Sequence, residues 1–137
     1  MNKLLFLSCS VLLFSFALQA QSTLQIKDLK AFFVDKDSTR CILVKYLINE
    51  PALADSCYLL VGTAKDAGDV YTGRYGINCS AVPCHFNGMG ADVVITSLTV
   101  QVFLPVNPAL ETNATHICTY VTTKQGMVTE RLYFALK

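Results

Sequence analysis

The decisive stretch of this sequence is Cys41-Ile42-Leu43-Val44-Lys45-Tyr46-Leu47-Ile48, and Asn49-Glu50-Pro51 follows it. It is rich in β-branched and aromatic residues, and such residues favour strands. Pro51 ends the run, because proline has no backbone N–H to donate to a neighbouring strand. The stretch therefore predicts a β-strand that belongs to the core.

The sequence before this stretch shows the same two-residue period with one interruption. Leu24 and Ile26 alternate in one phase, and Leu29 and Phe33 follow in the other. The phase therefore slips by one residue near Asp28. Such a slip within an extended run is typical of a β-bulge.

Five further runs downstream read as strands, at residues 57–61, 70–77, 92–104, 115–122 and 127–136. Turn residues separate them, and the last two runs form a hairpin around Lys124-Gln125-Gly126. No segment places apolar residues at helical spacing with credible caps. Seven short strands in a chain of this length predict an all-β fold, a seven-stranded antiparallel β-sandwich.

The first twenty residues have the pattern of a secretory signal peptide, with Lys3 near the start, an apolar run over residues 4–18, and Ala20 before Gln21. The run is shorter than the ~20 residues of a spanning helix, which argues against a retained anchor. Most of it follows Cys9, which argues against lipidation there. We expect residues 21–137 to form one secreted β-sandwich domain without a membrane span, extracellular or, in a bacterium, periplasmic or at the cell surface.

Composition excludes two classes of protein. The chain carries 11 basic and 10 acidic residues, and loss of Lys3 with the leader leaves 10 of each. This balance, with basic residues scattered singly, argues against nucleic-acid binding. Charged residues make up 15% of the chain and hydrophobic residues 53%, which argues against disorder.

The predicted mature chain keeps an odd number of cysteines: Cys41, Cys57, Cys79, Cys84 and Cys118. In a secreted domain the default is disulfide bonding, so one cysteine is left free or links two chains in a disulfide-bonded dimer. Cys79 and Cys84 are the easiest pair, because Pro83 bends the short segment between them. The pairing of the remaining cysteines depends on geometry and stays open at this point.

The order of strands and cysteines resembles the immunoglobulin-like and fibronectin type III superfold over the whole predicted mature chain. Cys41 lies in the second predicted strand and Cys118 in the sixth, and immunoglobulin domains bridge these two strands across the sheets. The resemblance implies a Cys41–Cys118 disulfide, whereas a Cys57–Cys118 bond would join neighbouring strands. His116 occupies the family's tyrosine position, and Tyr58 lies near that of its core tryptophan. The likeness is architectural and implies no function.

A metal site is a sharper alternative. Cys84-His85 and His116-x-Cys118, with Cys79 or Met89 nearby, offer soft ligands for copper or zinc. This set in a β-sandwich is similar to that of the cupredoxins, but no histidine follows Cys118 to complete their late cluster. Cysteines in disulfides are not thiolate ligands, so we expect no metal and no other cofactor.

Catalytic patterns are missing as well. The only two histidines have no recognisable partner, and Asp66 and Asp69 lie in a glycine-containing turn, where acidic residues commonly serve as turn formers. The glycines are irregularly spaced and precede no helix that would bind a phosphate. We expect no enzymatic activity.

Two N-glycosylation sequons remain, at Asn113 and at Asn78. Asn113 precedes a predicted strand in what we expect to be an exposed loop, whereas Asn78 is followed by Cys79. In a bacterial host neither sequon would normally be used.

Residues 70–90 gather glycines, aromatic residues and the predicted small disulfide loop, and sandwiches commonly carry recognition on loops. We expect the contact residues to be Tyr71, Tyr75, His85 and Phe86, although Tyr71 and Tyr75 would equally line a packed sheet face. The sequence thus predicts a non-catalytic binding or interaction module for a protein or glycan. The alternatives are a structural subunit of an extracellular assembly and a copper- or zinc-binding sandwich.

Overall fold

The computed structural model describes residues 23–77, 83–88 and 90–136. Within these residues the strands are β1 Ile26–Lys36, β2 Thr39–Ile48, β3 Ala54–Gly62, β4 Tyr71–Gly76, β5 Cys84–Gly88, β6 Ala91–Ile95, β7 Thr99–Pro105, β8 His116–Thr123 and β9 Leu132–Ala135. They form two antiparallel sheets, one ordered β1-β2-β7-β6-β5 and the other β4-β3-β8-β9. The prediction of an all-β fold with two antiparallel sheets is confirmed.

The core lies between the two sheets and takes every second residue from each strand. In the decisive stretch, Ile42 and Val44 are 0% exposed and Tyr46 is 1% exposed, whereas Lys45 between them is exposed. From the other sheet, Leu59 and Ile117 enter the same cluster of buried side chains. This alternation follows from the pleat, which turns successive side chains to opposite faces of a strand.

The structure divides the chain into more strands than the predicted seven, nine within the described residues. Residues 92–104, predicted as one strand, form β6 and β7 with a tight turn between them. The Thr96 amide donates to the Thr99 carbonyl at 2.9 Å, and the Leu98 carbonyl accepts from Ile48 at 2.8 Å. This turn contains no glycine, asparagine or proline to mark it in the sequence. The segment between the predicted strands 70–77 and 92–104, which was predicted to be a loop, contains β5.

One short α-helix, α1 Pro108–Asn113, and a single 3-10 turn, Pro51–Leu53, interrupt the described strands, so the prediction of no helix was wrong at α1. The Asn107 side chain accepts a hydrogen bond from the Leu110 amide at 2.8 Å, and Pro108 occupies the first turn. Both residues are preferred at helix starts. Six residues are too few to show helical periodicity, which is why the pattern missed this element. No helix among the described residues is long and apolar enough to span a membrane.

The predicted bulge and the predicted hairpin turn are both confirmed. The register of β1 against β2 shifts between Lys27 and Lys30, and Asp28 has a positive φ of 55° at the bulge. At the last hairpin, the Thr123 amide donates to the Met127 carbonyl at 2.8 Å, and Gly126 has a φ of 83°. Such a loop, with glycine in the left-handed region, is a common hairpin connection.

The predicted signal peptide lies outside the described residues and stays a prediction. The first described residues are attached to the fold by Asn49, whose Nδ2 donates to the Thr23 carbonyl at 2.9 Å. Its Oδ1 accepts from the Gln25 amide at 2.6 Å. These bonds secure the chain just before β1 to the end of β2.

The Cys41–Cys118 disulfide implied by the family resemblance is absent from the structure, in which both residues are thiols. Each is adjacent to a residue with 0% exposure that points into the core, Ile42 and Ile117. The pleat therefore turns the two cysteines away from the shared core and towards opposite outer sides of the sandwich, where other side chains bury them. Cys57 points inward, as a member of the core cluster, so a Cys57–Cys118 bond is absent for the same reason.

Candidate functional site

Two of the expected contact residues belong to the packed side of their sheet. Tyr71 and Tyr75 lie on β4 with Gly73 between them, and Tyr75 is only 3% exposed. Their hydroxyls are hydrogen-bonded to each other. Burial raises the pKa of both phenols. Tyr75 thus has the packing role that the sequence analysis left open for it.

The other two expected contact residues point to opposite sides of β5. Phe86 is half-buried and packs against the core, whereas His85 is exposed on the outer face with its Nδ1 3.9 Å from Asp92 Oδ1. Tyr75 and Phe86 therefore pack inward while His85 faces solvent. The four residues do not form one surface.

The cysteine and metal predictions are only partly covered by the described residues. Cys79, Met89 and the Asn78 sequon lie outside them, so a Cys79–Cys84 bond stays a prediction. Asn113 ends α1 and is exposed. No group of three His, Cys, Asp or Glu side chains in the described ranges is placed to hold a metal ion.

The outer side of the five-stranded sheet carries an apolar row. Register places Phe32, Leu43 and Phe103 side by side across β1, β2 and β7. Phe32 is 46% exposed, and Leu47, which lies beyond Lys45 on the same side of β2, is 37% exposed. We call this outer side the five-stranded face, comprising Lys30, Phe32, Leu43, Lys45, Leu47, Phe103, Asp92 and His85. An apolar row open to solvent is unusual, because sheet faces outside a core are commonly polar.

Lysines flank this apolar row. Lys30 on β1 and Lys45 on β2 are directly opposite each other in the register, and both are exposed. Lys27 lies in the same strand before the bulge. None of these three lysines forms an ion pair with another described residue. The face therefore combines apolar surface with positive charge that lacks a partner in the described chain.

Two hollows lie on the five-stranded face. One, of about 470 Å³, is lined by Lys30, Phe32, Lys45 and Leu47 together with Asp28 and Tyr46. The other, of about 550 Å³, is lined by residues that include Lys36, Cys41, Asp92 and Phe103. Both place a lysine beside a phenylalanine. The surface is therefore contoured rather than flat.

The second hollow holds its own charges in place. Lys36 hydrogen-bonds to Asp92, and its Nζ lies 4.5 Å from the centre of the Phe103 ring. The hydrogen bond to Asp92 raises the pKa of the Lys36 ammonium. Burial raises the pKa of the nearby Cys41 thiol, whose hydrogen bond goes to the Thr39 carbonyl. This hollow thus contains an ion pair and a protonated thiol.

The outer side of the four-stranded sheet differs in chemistry. Register aligns Arg74, Tyr58 and Tyr120 across β4, β3 and β8, and Arg131 follows just before β9. The two tyrosine rings stack with centroids 4.7 Å apart. The Arg74 guanidinium lies 5.7 Å from the centre of the Tyr58 ring, and the Arg131 guanidinium lies 4.6 Å from the centre of the Tyr120 ring. We call these four residues the arginine–tyrosine row. Tyr58 thus stacks outside the core rather than replacing a core tryptophan.

Each arginine of this row is near an aspartate. Arg131 Nη1 is 2.5 Å from Asp66 Oδ1, and Arg74 Nη2 is 3.9 Å from Asp55 Oδ2. Asp66 also accepts a hydrogen bond from the Cys118 thiol at 3.3 Å. Charges on this side are largely matched within the molecule. The row therefore reads as a stabilised sheet surface, whereas the five-stranded face retains unpaired charge.

The decisive stretch itself indicates that the outer side of its sheet is apolar. A strand covered on one side alternates apolar and polar residues, whereas 41–48 is apolar at nearly every position. One set of alternate residues, Ile42 to Ile48, fills the core. The other set, with Leu43 and Leu47, must then lie on the outer side, where Lys45 is the single charged member.

Comparison with known proteins adds no relative: no protein-family model, curated protein or solved structure matches this chain.

Proposed function

We propose that this protein is a secreted, non-catalytic binding module that contacts its partner with the five-stranded face. The single observation that supports this is the apolar surface of the five-stranded face, on which Phe32 and Leu47 are open to solvent. Exposed apolar patches bordered by polar residues commonly mark interaction sites, because burying them on a partner removes apolar surface from water. Recognition would then use a strand face rather than the loop region 70–90.

The proposal includes an immunoglobulin-like or fibronectin type III-like fold. It is supported by the order β1-β2-β7-β6 in one sheet and the neighbours β3-β8-β9 in the other. These correspond to the ABED and CFG sheets of a constant-type immunoglobulin domain. Here β5 extends the first sheet and β4 the second.

The non-catalytic part of the proposal is supported by the state of the titratable groups on this face. A cysteine nucleophile needs a lowered pKa, whereas burial raises that of the Cys41 thiol. Asp92 is hydrogen-bonded to Lys36, and His85 is 3.9 Å from the same carboxylate. These groups therefore form a charge cluster without an activated nucleophile.

The structural-subunit alternative finds less support. Subunits that join through an edge strand need a regular edge, and β1 is one edge of the five-stranded sheet. It carries a bulge at Asp28 and exposed lysines at positions 27 and 30. Bulges and edge lysines are devices that oppose edge-to-edge pairing.

A capture experiment tests the proposed function. Immobilised protein is exposed to the culture fluid and cell-surface extract of the source organism, and bound proteins and glycans are quantified by mass spectrometry. We expect Phe32→Ser combined with Leu47→Ser to abolish specific capture. Tyr133→Ser is the matched control, because Tyr133 is also 37% exposed but lies on the other sheet.

Each variant must first be shown to fold. Its urea unfolding transition should have the same midpoint as that of wild type. Exposed substitutions of this kind usually change the free energy of unfolding by less than about 0.5 kcal/mol. Equal capture by the double variant and by wild type would contradict the proposal. Capture that fails only in the Tyr133 variant would assign recognition to the four-stranded sheet.

A further inference from the structure

We propose that the five-stranded face binds an acidic, amphipathic protein segment. The Lys30–Lys45 pair would hold its carboxylates, while Phe32 and Leu47 hold its apolar side chains. This inference rests on the proposed function and adds the chemistry of the partner.

Two lysines of like charge lie next to each other on this face. Lys30 and Lys45 are direct cross-strand partners, and like charges in that position destabilise a sheet. No described carboxylate forms an ion pair with either lysine. A partner that brings carboxylates to this site would remove the repulsion when it binds.

Protection of the sheet edge does not account for the pair. Lysines on an edge strand prevent unwanted pairing, and this explains Lys27 and Lys30 on β1. Lys45, however, is on β2, which is flanked by β1 and β7 and offers no open edge. Its position opposite Lys30 therefore needs another explanation, and recognition of negative charge supplies one.

The geometry suits a segment with alternating chemistry. The hollow of about 470 Å³ brings Lys30, Lys45, Phe32 and Leu47 to one place. Because successive side chains of an extended segment point to opposite sides, only every second residue of the partner would face this surface. A partner with apolar, acidic and apolar residues at three successive facing positions would place a carboxylate at the lysines and apolar groups at Phe32 and Leu47. Such a contact removes apolar surface from water and pairs the lysine charges at the same time.

A second copy of this chain is a poor occupant. A two-fold contact through this face would place lysines near lysines, because such an interface is self-complementary. A segment of another protein that carries carboxylates avoids this repulsion and pairs with the lysines instead.

An anionic lipid surface is also a poorer match. Asp92 and the bulge residue Asp28 share this side of the molecule with the lysines. The predicted mature chain has no net charge to attract it to a bilayer. A discrete partner can avoid these two aspartates, whereas a continuous anionic surface cannot.

Binding of defined probes tests the inference. The probes are a synthetic peptide that repeats leucine-serine-glutamate-serine, which places leucine and glutamate on the same side of an extended strand, and its counterpart with lysine in place of glutamate. Each is titrated into the isotope-labelled full mature chain and followed by NMR. We expect the glutamate peptide to shift the amides around Lys30, Phe32, Lys45 and Leu47, and to bind more weakly as salt increases. The lysine peptide should not bind there.

The variant Lys30→Glu separates recognition from a structural role. It converts the like-charge pair into an opposite-charge pair, so it should raise the urea midpoint while weakening the glutamate peptide about tenfold or more. Lys124→Glu, at the tip of the last hairpin, is the matched control. It should leave the affinity for the peptide unchanged.

The remaining outcomes are decisive as well. Glutamate-peptide affinity that survives Lys30→Glu, or binding to phosphatidylglycerol vesicles in preference to the peptide, overturns the inference. If the peptide fails while capture by wild type still depends on Phe32 and Leu47, the partner is apolar but not acidic, and the proposed function stands. If neither assay depends on this face, both proposals fail.

Discussion

The pleat turns one polar group, the hydroxyl of Tyr46, into the core. Tyr46 is 1% exposed, and its hydroxyl forms no hydrogen bond of normal geometry among the described residues, although the Cys57 and Thr119 side chains lie near it. The nearby Thr119 hydroxyl donates to the Tyr58 carbonyl at 2.8 Å. Burial raises the pKa of the Tyr46 phenol well above its usual range. Unsatisfied buried polar groups are costly, so this hydroxyl opposes the packing of its own ring.

We therefore predict that Tyr46→Phe stabilises the protein. The variant keeps the buried ring and removes the unpaired hydroxyl, so the free energy of unfolding should rise by about 1 kcal/mol. Urea unfolding at neutral pH measures this. A loss of stability of similar size would instead show that the hydroxyl has a working partner, with the Cys57 thiol as the first candidate.

A second residue-scale prediction concerns the thiol of Cys118. Burial and the adjacent Asp66 carboxylate, beside which a second negative charge is disfavoured, together raise its pKa to about 12. Asp66→Ala should therefore lower the pKa of the thiol and speed its alkylation in the folded state. Peptide mapping by mass spectrometry follows Cys118 separately from the other cysteines. The control Glu130→Ala, beside Arg131, should react at the wild-type rate, and an unchanged Asp66 variant would disprove this role.

At the scale of elements, cross-strand register determines which side chains meet. The arginine–tyrosine row exists because Tyr58 is opposite both Arg74 and Tyr120 in its two neighbouring strands. Cross-strand pairs of this kind stabilise sheets through side-chain contact. In this row the two arginines lie beside the stacked rings of Tyr58 and Tyr120, so the molecule itself covers part of these rings.

Stacking in this row should be measurable as a coupling energy. A double-mutant cycle of Tyr58→Ala and Tyr120→Ala should give about 0.5–1.5 kcal/mol between the rings. The control cycle pairs Tyr120→Ala with Leu47→Ala, which lies on the opposite outer face. Those two changes should add within about 0.5 kcal/mol. Additive effects in the Tyr58–Tyr120 cycle would mean that the stacked geometry contributes no specific energy.

Sequence reasoning succeeded for elements whose local chemistry is distinctive and failed where register decides. The bulge at Asp28 and the turn at Gly126 were predictable because each has a local mark, a phase slip or a glycine. The turn near Thr96 and the outward position of Cys41 were not. A two-residue period shows that Cys41 and Ile42 face opposite sides, but the side that becomes the core depends on which sheet packs against it.

The candidate site was missed for a related reason. Aromatic residues in 70–90 suggested a recognition loop, yet Tyr75 is packed and Phe86 is half-buried. Of the residues that reach solvent, Leu47 is in the strand predicted to belong to the core, and Phe32 is in the neighbouring strand, for which only a bulge was predicted. Continuous apolar character indicates two covered faces, and only the assembled sandwich shows that one of them is left open.

For the whole molecule, the sandwich keeps buried groups protonated that would ionise in the unfolded chain. Cys57 is 1% exposed in the shared core, and burial raises the pKa of its thiol to about 12. In the unfolded chain the same thiol ionises near pH 8.5, at roughly its ordinary pKa. Between these two values the unfolded state has released a proton that the folded state retains. The stabilisation is thus fully present below about pH 8.5 and is lost as pH rises towards about 12.

The protein should therefore weaken in alkaline solution because of its core. At about pH 10 the free energy of unfolding should be lower than at neutral pH by roughly 1–2 kcal/mol from Cys57 alone. Urea unfolding at both pH values, with wild type and Cys57→Ala, measures this contribution. The alanine variant should start less stable, because it loses buried volume, but should lose less stability on going to high pH. An equal alkaline loss in the two proteins would mean that the Cys57 thiol can already ionise in the folded state, and hence that water reaches the space between the sheets.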